Sequence, residues 1–211
     1  MREPDKEMKE RAVVVEARSS FVIVRINRPK ERNSLSVATL EELDSVVSAL
    51  TARRDVSSII FTGTDDVFAA GADIRELTTL VPETAREFAA RGQRLFQKIA
   101  DARQLTIAAI NGYCMGGGLD LALACDTRCA SPGAIFAHPG ARLGIITGWG
   151  GTQRLPRLIG AARAVELFAT ARRFDGLEAY EIGLVSRIYE PVLQCAIEIA
   201  LAYRQRASVT S

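Results

Sequence analysis

Short β-rich runs alternate with helical repeats along this chain, and that alternation constrains its fold more than any other feature. "AVVVEA" (12–17) and "FVIVRI" (21–26) are joined by a polar turn at residues 18–20 that suits a hairpin. "NRPKERNS" then breaks the pattern. In the segment 36–54, Leu40, Leu43, Val47 and Leu50 repeat at helical spacing. "SSIIFTG" (57–63) reads as a strand ended by Gly63, and "FAAGADI" (68–74) as a small-residue loop. Residues 82–100 form a second amphipathic helix with Pro82 at its first turn. The alternation repeats with strand 105–111, a glycine-rich turn 112–118, helix 119–126 and strands near 127–131 and 134–137. Apolar strands separated by helices predict an α/β fold with a mainly parallel sheet covered by helices. After Gly148 the chain reads as helical segments, interrupted by a short run at 184–188.

Charge and cysteine content exclude several functions. Lys and Arg number 27 against 25 Asp and Glu, a net charge of +2. Such a balance gives no electrostatic reason to expect nucleic acid or an anionic membrane as the main partner. Of the four cysteines only Cys125 and Cys129 are close in sequence, and there is a single histidine, His138, so no zinc site is expected. Their apolar neighbours predict buried free thiols in a reducing compartment. The start "MREPDKEMKERA" alternates charges without the apolar core of a signal peptide, and no run is long and apolar enough to span a bilayer. These features predict a frayed tail at residues 1–11, one domain over 12–211, and a cytoplasmic location.

Two small-residue segments carry the first hint of chemistry. In "NGYCMGGGLDLALACD", Gly116, Gly117 and Gly118 immediately precede an apolar helix, where unpaired N–H donors meet the positive end of the helix dipole. The triplet alone fits equally a crowded turn under a sheet. It is neither a dinucleotide fingerprint nor a P-loop, for both spacings are wrong. "FAAGAD" (68–73) also follows a strand, and two such loops can each direct a backbone N–H at one atom, which makes an oxyanion hole.

Together, "INRPKERNSL", "FAAGADI", "NGYCMGGGLDLALACD" and "LGIITGWGGTQRLPRLIG" occur in the order found in the enoyl-CoA hydratase/isomerase (crotonase) superfamily, which this chain resembles from about Val13 to about residue 200. The resemblance implies a crotonase-like spiral of ββα units with a helical C-terminal part, here apparently shortened, assembled as a homotrimer or hexamer. It implies an acyl-CoA substrate, with coenzyme A as part of the substrate and no separate cofactor or metal. The N–H groups of Ala70 and Gly117 would hold the thioester oxygen. Ala72, Asp73 and Ile74 would lie near the adenine end of coenzyme A, with Arg28 and Lys30 near its phosphates.

The resemblance also shows where this chain departs from the pattern. Hydratases of the family hold a water between two glutamates. Asp120 stands at the first position, as in the dienoyl-CoA isomerases, and Gly140 at the second, where glycine offers no acid or base. The further acid of the dienoyl isomerases corresponds to Gly148. His138, two residues before Gly140, would face the same side if the segment is extended, and is a candidate substitute. Thr147 is a candidate for the acyl pocket, while Tyr113 and Trp149 suit packing. The family continues for some tens of residues beyond "AYRQRASVTS", so a more open pocket is expected. The leading expectation is an enoyl-CoA hydratase of fatty acid metabolism. The alternatives are an enoyl- or dienoyl-CoA isomerase and a catalytically weak acyl-CoA-binding homologue. RNA binding is disfavoured by the balanced charge, and a serine peptidase by the lack of a serine–histidine pair in the motifs.

Overall fold

The computed structural model describes residues 11–209. The expected tail lies outside the described residues except for Arg11, whose carbonyl accepts a hydrogen bond from the Asn27 side chain. β1 (Val13–Ala17) and β2 (Phe21–Ile26) form the predicted hairpin, Val13 facing Ile26 and Ala17 facing Val22. A short 3-10 turn, Pro29–Glu31, leads to β3 (Ser34–Leu35). α1 (Val37–Thr51) begins where the Ser36 hydroxyl accepts from the Thr39 amide, and it buries Leu40, Leu43, Val47 and Leu50, the four residues whose spacing announced it. β4 (Ser58–Thr62) is followed by β5 (Val67–Ala69), β6 (Gly71–Ala72), α2 (Ile74–Leu77) and α3 (Pro82–Ala100). The next turn of the spiral is β7 (Leu105–Ile110), β8 (Tyr113–Met115) and α4 (Gly117–Ala124), then β9 (Thr127–Ala130) and β10 (Ile135–Ala137). The remainder is α5 (Gly151–Ile159), α6 (Ala161–Thr170), β11 (Phe174–Asp175), α7 (Gly176–Glu181), β12 (Arg187–Ile188) and α8 (Val192–Val209).

Six strands form the main sheet in the order β1-β2-β4-β7-β9-β12, parallel except for the hairpin. Its inner strands β2, β4 and β7 are buried on both faces, which explains their apolar runs. Ile59, Phe61, Ala108 and Ile110 belong to the core shared with α1, α3 and α4. Their alternate neighbours Ile60, Ile107 and Ala109 pack with Cys129 against Cys195, Ala196 and Ala200 of α8. A second sheet, β11-β10-β8-β5, and the pair β3-β6 stand beside the first. β2, β4, β7 and β9 each lead into a short strand of the outer layer and then a helix, the ββα repeat that the resemblance implies.

The segments read as a loop (68–74) and a turn (112–118) contain the outer strands β5, β6 and β8. They are two or three residues long and pair through backbone alone, so no alternation of side chains announces them. All four cysteines are buried and free, as their neighbours predicted. Among the described residues, no helix is long and apolar enough to cross a membrane.

Candidate active site

α4 is buried along its whole length, and every residue in it is Gly, Ala or Leu except one, Asp120. A lone carboxyl in a wholly buried helix is costly and marks a candidate site. The helix starts beneath an apolar cavity of about 250 Å³ whose wall includes Ala72, Gly117, His138, Gly140 and Thr147. Leu143, Ile145 and Ile146 are exposed at its rim.

The helix entry is shaped by close approach. Gly116 has φ +49°, which residues with side chains rarely adopt, and its N–H donates to the Ala137 carbonyl at 2.9 Å. Gly117 follows as the first residue of α4, so no preceding helical carbonyl reaches its N–H. A methyl group on Gly117 would lie 2.3 Å from the Trp149 ring and 3.4 Å from the Ala72 amide nitrogen. The buried Trp149 indole is thus wedged against Gly117 and, on its other side, Gly92 of α3, and it packs on Phe88 and Phe96 at 5.4 and 5.8 Å between ring centres. Its packing role matches the sequence expectation, although it also lines the cavity.

The expected amide pair needs correction. The Ala70 N–H donates to the Arg32 carbonyl at 3.2 Å and is already committed. The amide beside Gly117 is that of Ala72, two residues on. The identity of the donor depends on which way successive amides point along β5 and β6, and sequence does not record that.

Asp120 is fully buried, and the Thr147 hydroxyl donates to its Oδ2. Its Oδ1 lies 3.6 Å from Nε2 of His138, itself 4% exposed. Neither Oδ1 nor either ring nitrogen of His138 has a hydrogen-bond partner. Burial raises the Asp120 carboxyl from 3.8 to about 7, against the opposing pull of Thr147, the Trp149 and Gly151 backbone and Arg154. Burial also lowers the imidazole from 6.5 to about 4. Near neutrality His138 is therefore uncharged beside a carboxyl that retains much of its proton.

The chain is extended up to His138 but not from there to Gly140 as supposed. Pro139–Leu143 form a 3-10 turn, and the histidine reaches Asp120 from the end of β10. Gly140 is held by its surroundings, for a Cβ there would lie 2.6 Å from the Ile145 carbonyl oxygen. Gly148 is open, its nearest such contact being Ala89 at 3.8 Å.

The residues expected at the coenzyme handle divide. Ala72 and Ile74 line the cavity. Asp73 does not: its carboxylate caps α2 by accepting from the Arg75 amide, and it pairs with the Arg75 guanidinium at 2.6 Å, which holds it below the usual carboxylate range. Arg28 pairs with Glu31 at 3.2 Å on the 3-10 turn, where Lys30 is exposed, and neither lines this cavity. Instead, a second cavity of about 440 Å³ adjoins the first across Ala70 and Pro139. Arg32, Arg142 and Arg173 line it together with Tyr113 and no carboxylate. The Arg32 guanidinium stacks over the Tyr113 ring at 5.0 Å. These three arginines are scattered along the chain, and only the folding of three separate loops brings them together.

Comparison with known proteins agrees with this geometry. The sequence profile of the enoyl-CoA hydratase/isomerase family matches residues 16–206. The chain is 42% identical over 180 residues to the crotonyl-CoA hydratase of Syntrophomonas wolfei, spanning 85% of this chain and 69% of that protein. It is 40% identical over 191 residues to the short-chain-enoyl-CoA hydratase of Clostridium acetobutylicum, spanning 89% and 73%. The crystal structure of an enoyl-CoA hydratase from Bacillus anthracis superposes with a TM-score of 0.88 at 38% identity, covering 92% of this chain and 77% of that one.

Proposed function

Because the chain belongs to the enoyl-CoA hydratase/isomerase family, we propose that it adds water across the double bond of a 2-enoyl-CoA thioester. The observation that carries this reading is the buried Asp120 carboxyl, set in the first turn of the helix whose opening residue, Gly117, lies beside the amide nitrogen of Ala72. In the proposed reaction the two N–H groups hold the thioester oxygen. As water attacks the β-carbon, charge moves onto that oxygen, where preorganised donors act most strongly. The enolate then collapses with transfer of a proton to the α-carbon, and Asp120, whose burial raises its carboxyl to about 7, is suited to supply it. The apolar cavity takes the acyl chain and excludes bulk water.

The adjoining arginine-lined cavity suits the phosphates of the coenzyme. Arg32, Arg142 and Arg173 offer planar donors with no carboxylate competing among the lining residues. This assignment replaces Arg28 and Lys30.

A second reading, binding of acyl-CoA without efficient turnover, is favoured by Gly140, which puts no carboxyl on its part of the cavity wall. Crotonyl-CoA separates the two. Loss of the conjugated thioester absorbance, abolished in Asp120→Ala, supports the hydratase. Tight binding with unchanged absorbance supports the binding protein, and failure to bind any acyl-CoA refutes both.

A further inference from the structure

The His138–Asp120 contact is the least explained feature of the site. Three buried polar atoms, Oδ1 of Asp120 and both ring nitrogens of His138, lack hydrogen-bond partners, and two of them face each other at 3.6 Å. Buried polar atoms are nearly always paired, so three orphans in one place call for a ligand or a working role. The gap is slightly too long for a direct hydrogen bond and short enough for both groups to contact one small oxygen-bearing ligand. The placement is enforced. Met115 pairs with Ala137 across β8 and β10, and the Gly116 amide bonds the Ala137 carbonyl, which ties the start of α4 to the residue before His138. The ring of Phe168 packs on the imidazole at 5.0 Å and keeps that side dry. His138 also lines the same cavity wall as Gly140.

We propose that His138 and Asp120 form one proton-exchanging pair, in which Nε2 of His138 accepts the proton of the attacking water while the Asp120 carboxyl protonates the α-carbon. The proposal rests on the hydratase reading and assigns to His138 the work for which position 140 has no side chain. The balance closes within the pair. The water oxygen bonds to the β-carbon and one of its protons passes to neutral His138. The π electrons move through the α-carbon to the thioester oxygen, and the enolate takes the proton of the Asp120 acid to complete the 3-hydroxyacyl product. Imidazolium and carboxylate then face each other, and one proton crossing from Nε2 to Oδ1 restores the starting state. Burial favours this return, since it disfavours both charged forms.

His138 is the only histidine in the chain, so a nitrogen NMR spectrum of ring-labelled protein reports on it alone. The pair predicts that Asp120→Asn shifts both ring nitrogens and changes the tautomer balance. It further predicts that His138→Gln lowers kcat for crotonyl-CoA by about 10²–10⁴ with little change in KM, and that added imidazole restores part of the activity of His138→Ala. Ring signals unmoved by Asp120→Asn overturn the pairing whatever the turnover. Activity that survives His138→Gln overturns the role of His138 alone. Absence of turnover in the unsubstituted protein overturns the hydratase reading and the step drawn here with it.

Discussion

Replacing Asp120 by Asn should tilt the pH dependence of stability in one direction, and replacing His138 by Gln should tilt it in the other. Asp120 moves from 3.8 in the unfolded chain to about 7 in the fold. Between those values the folded state keeps a proton that the unfolded chain has lost, so this group's contribution falls as pH rises. At about 1.4 kcal/mol per pH unit, the rise amounts to about 4 kcal/mol, fully expressed above the folded value. His138 moves from 6.5 to about 4. In that interval the unfolded chain holds the proton, so its contribution grows with pH, by about 3 kcal/mol in all. The two slopes oppose each other and largely cancel in the unsubstituted protein. Arg154, which also acts on Asp120, keeps its charge in this range, and the Cys114 thiol, on which Asp120 acts, is pushed well up by burial. Asp120→Asn leaves the His138 slope alone, and stability should climb by about 2 kcal/mol between about pH 4.5 and pH 6.5. His138→Gln leaves the Asp120 slope, and stability should fall by a similar amount. One kcal/mol corresponds to about 2–4 °C in a domain of this size, so thermal unfolding scans should show the two Tm curves diverging by about 8 °C or more. Surface carboxylates contribute equally to all three proteins and drop out of the differences. Three parallel curves would refute the assignment of opposite perturbations to this pair.

Gly117→Ala forces a methyl carbon to 2.3 Å from the Trp149 ring beside the paired amides; kcat for crotonyl-CoA should fall by about 10²–10³, and unchanged kinetics would contradict the amide pair. Gly140→Glu meets the Ile145 carbonyl oxygen at 2.6 Å from Cβ, and calorimetry should show a loss of about 1–3 kcal/mol. Gly148→Asp, with its nearest such contact at 3.8 Å, should change stability by no more than about 0.5 kcal/mol. Serine at Arg32, Arg142 and Arg173 together should weaken crotonyl-CoA binding by about 10–100-fold. Titration calorimetry should find binding of crotonyl-pantetheine, which lacks the phosphates, unaffected; equal losses for both ligands would remove the arginines from phosphate recognition.

Periodicity made the main sheet and its long helices legible. Leu40, Leu43, Val47 and Leu50 lie on one buried face of α1 as spaced, and the alternation in "FVIVRI" divides β2 between the two cores. The outer strands were illegible because "VFA", "GA" and "YCM" are too short to carry a period and pair only through backbone. At the site, the glycines and Asp120 could be read as a candidate constellation, and His138 could be marked as a substitute. What was missing was direction. Amide orientation commits Ala70 to Arg32 and leaves Ala72 beside Gly117. His138 reaches Asp120 from the extended end of β10, and the chain turns into a 3-10 helix only after it. Asp73 and Arg28 could be read as ligand groups, but the sequence does not show that each is paired, with Arg75 and with Glu31. The arginine-lined cavity left no local trace at all, since residues 32, 142 and 173 meet only in the fold.

The central claim is that this site adds water to an enoyl thioester through Asp120. Incubation with crotonyl-CoA in isotopically heavy-oxygen water, followed by mass spectrometry of the thioester, tests it most directly. The account predicts a product that has gained one water with the heavy oxygen on the β-carbon, and none with Asp120→Ala. A product of unchanged mass, or water gain that persists in Asp120→Ala, would contradict it.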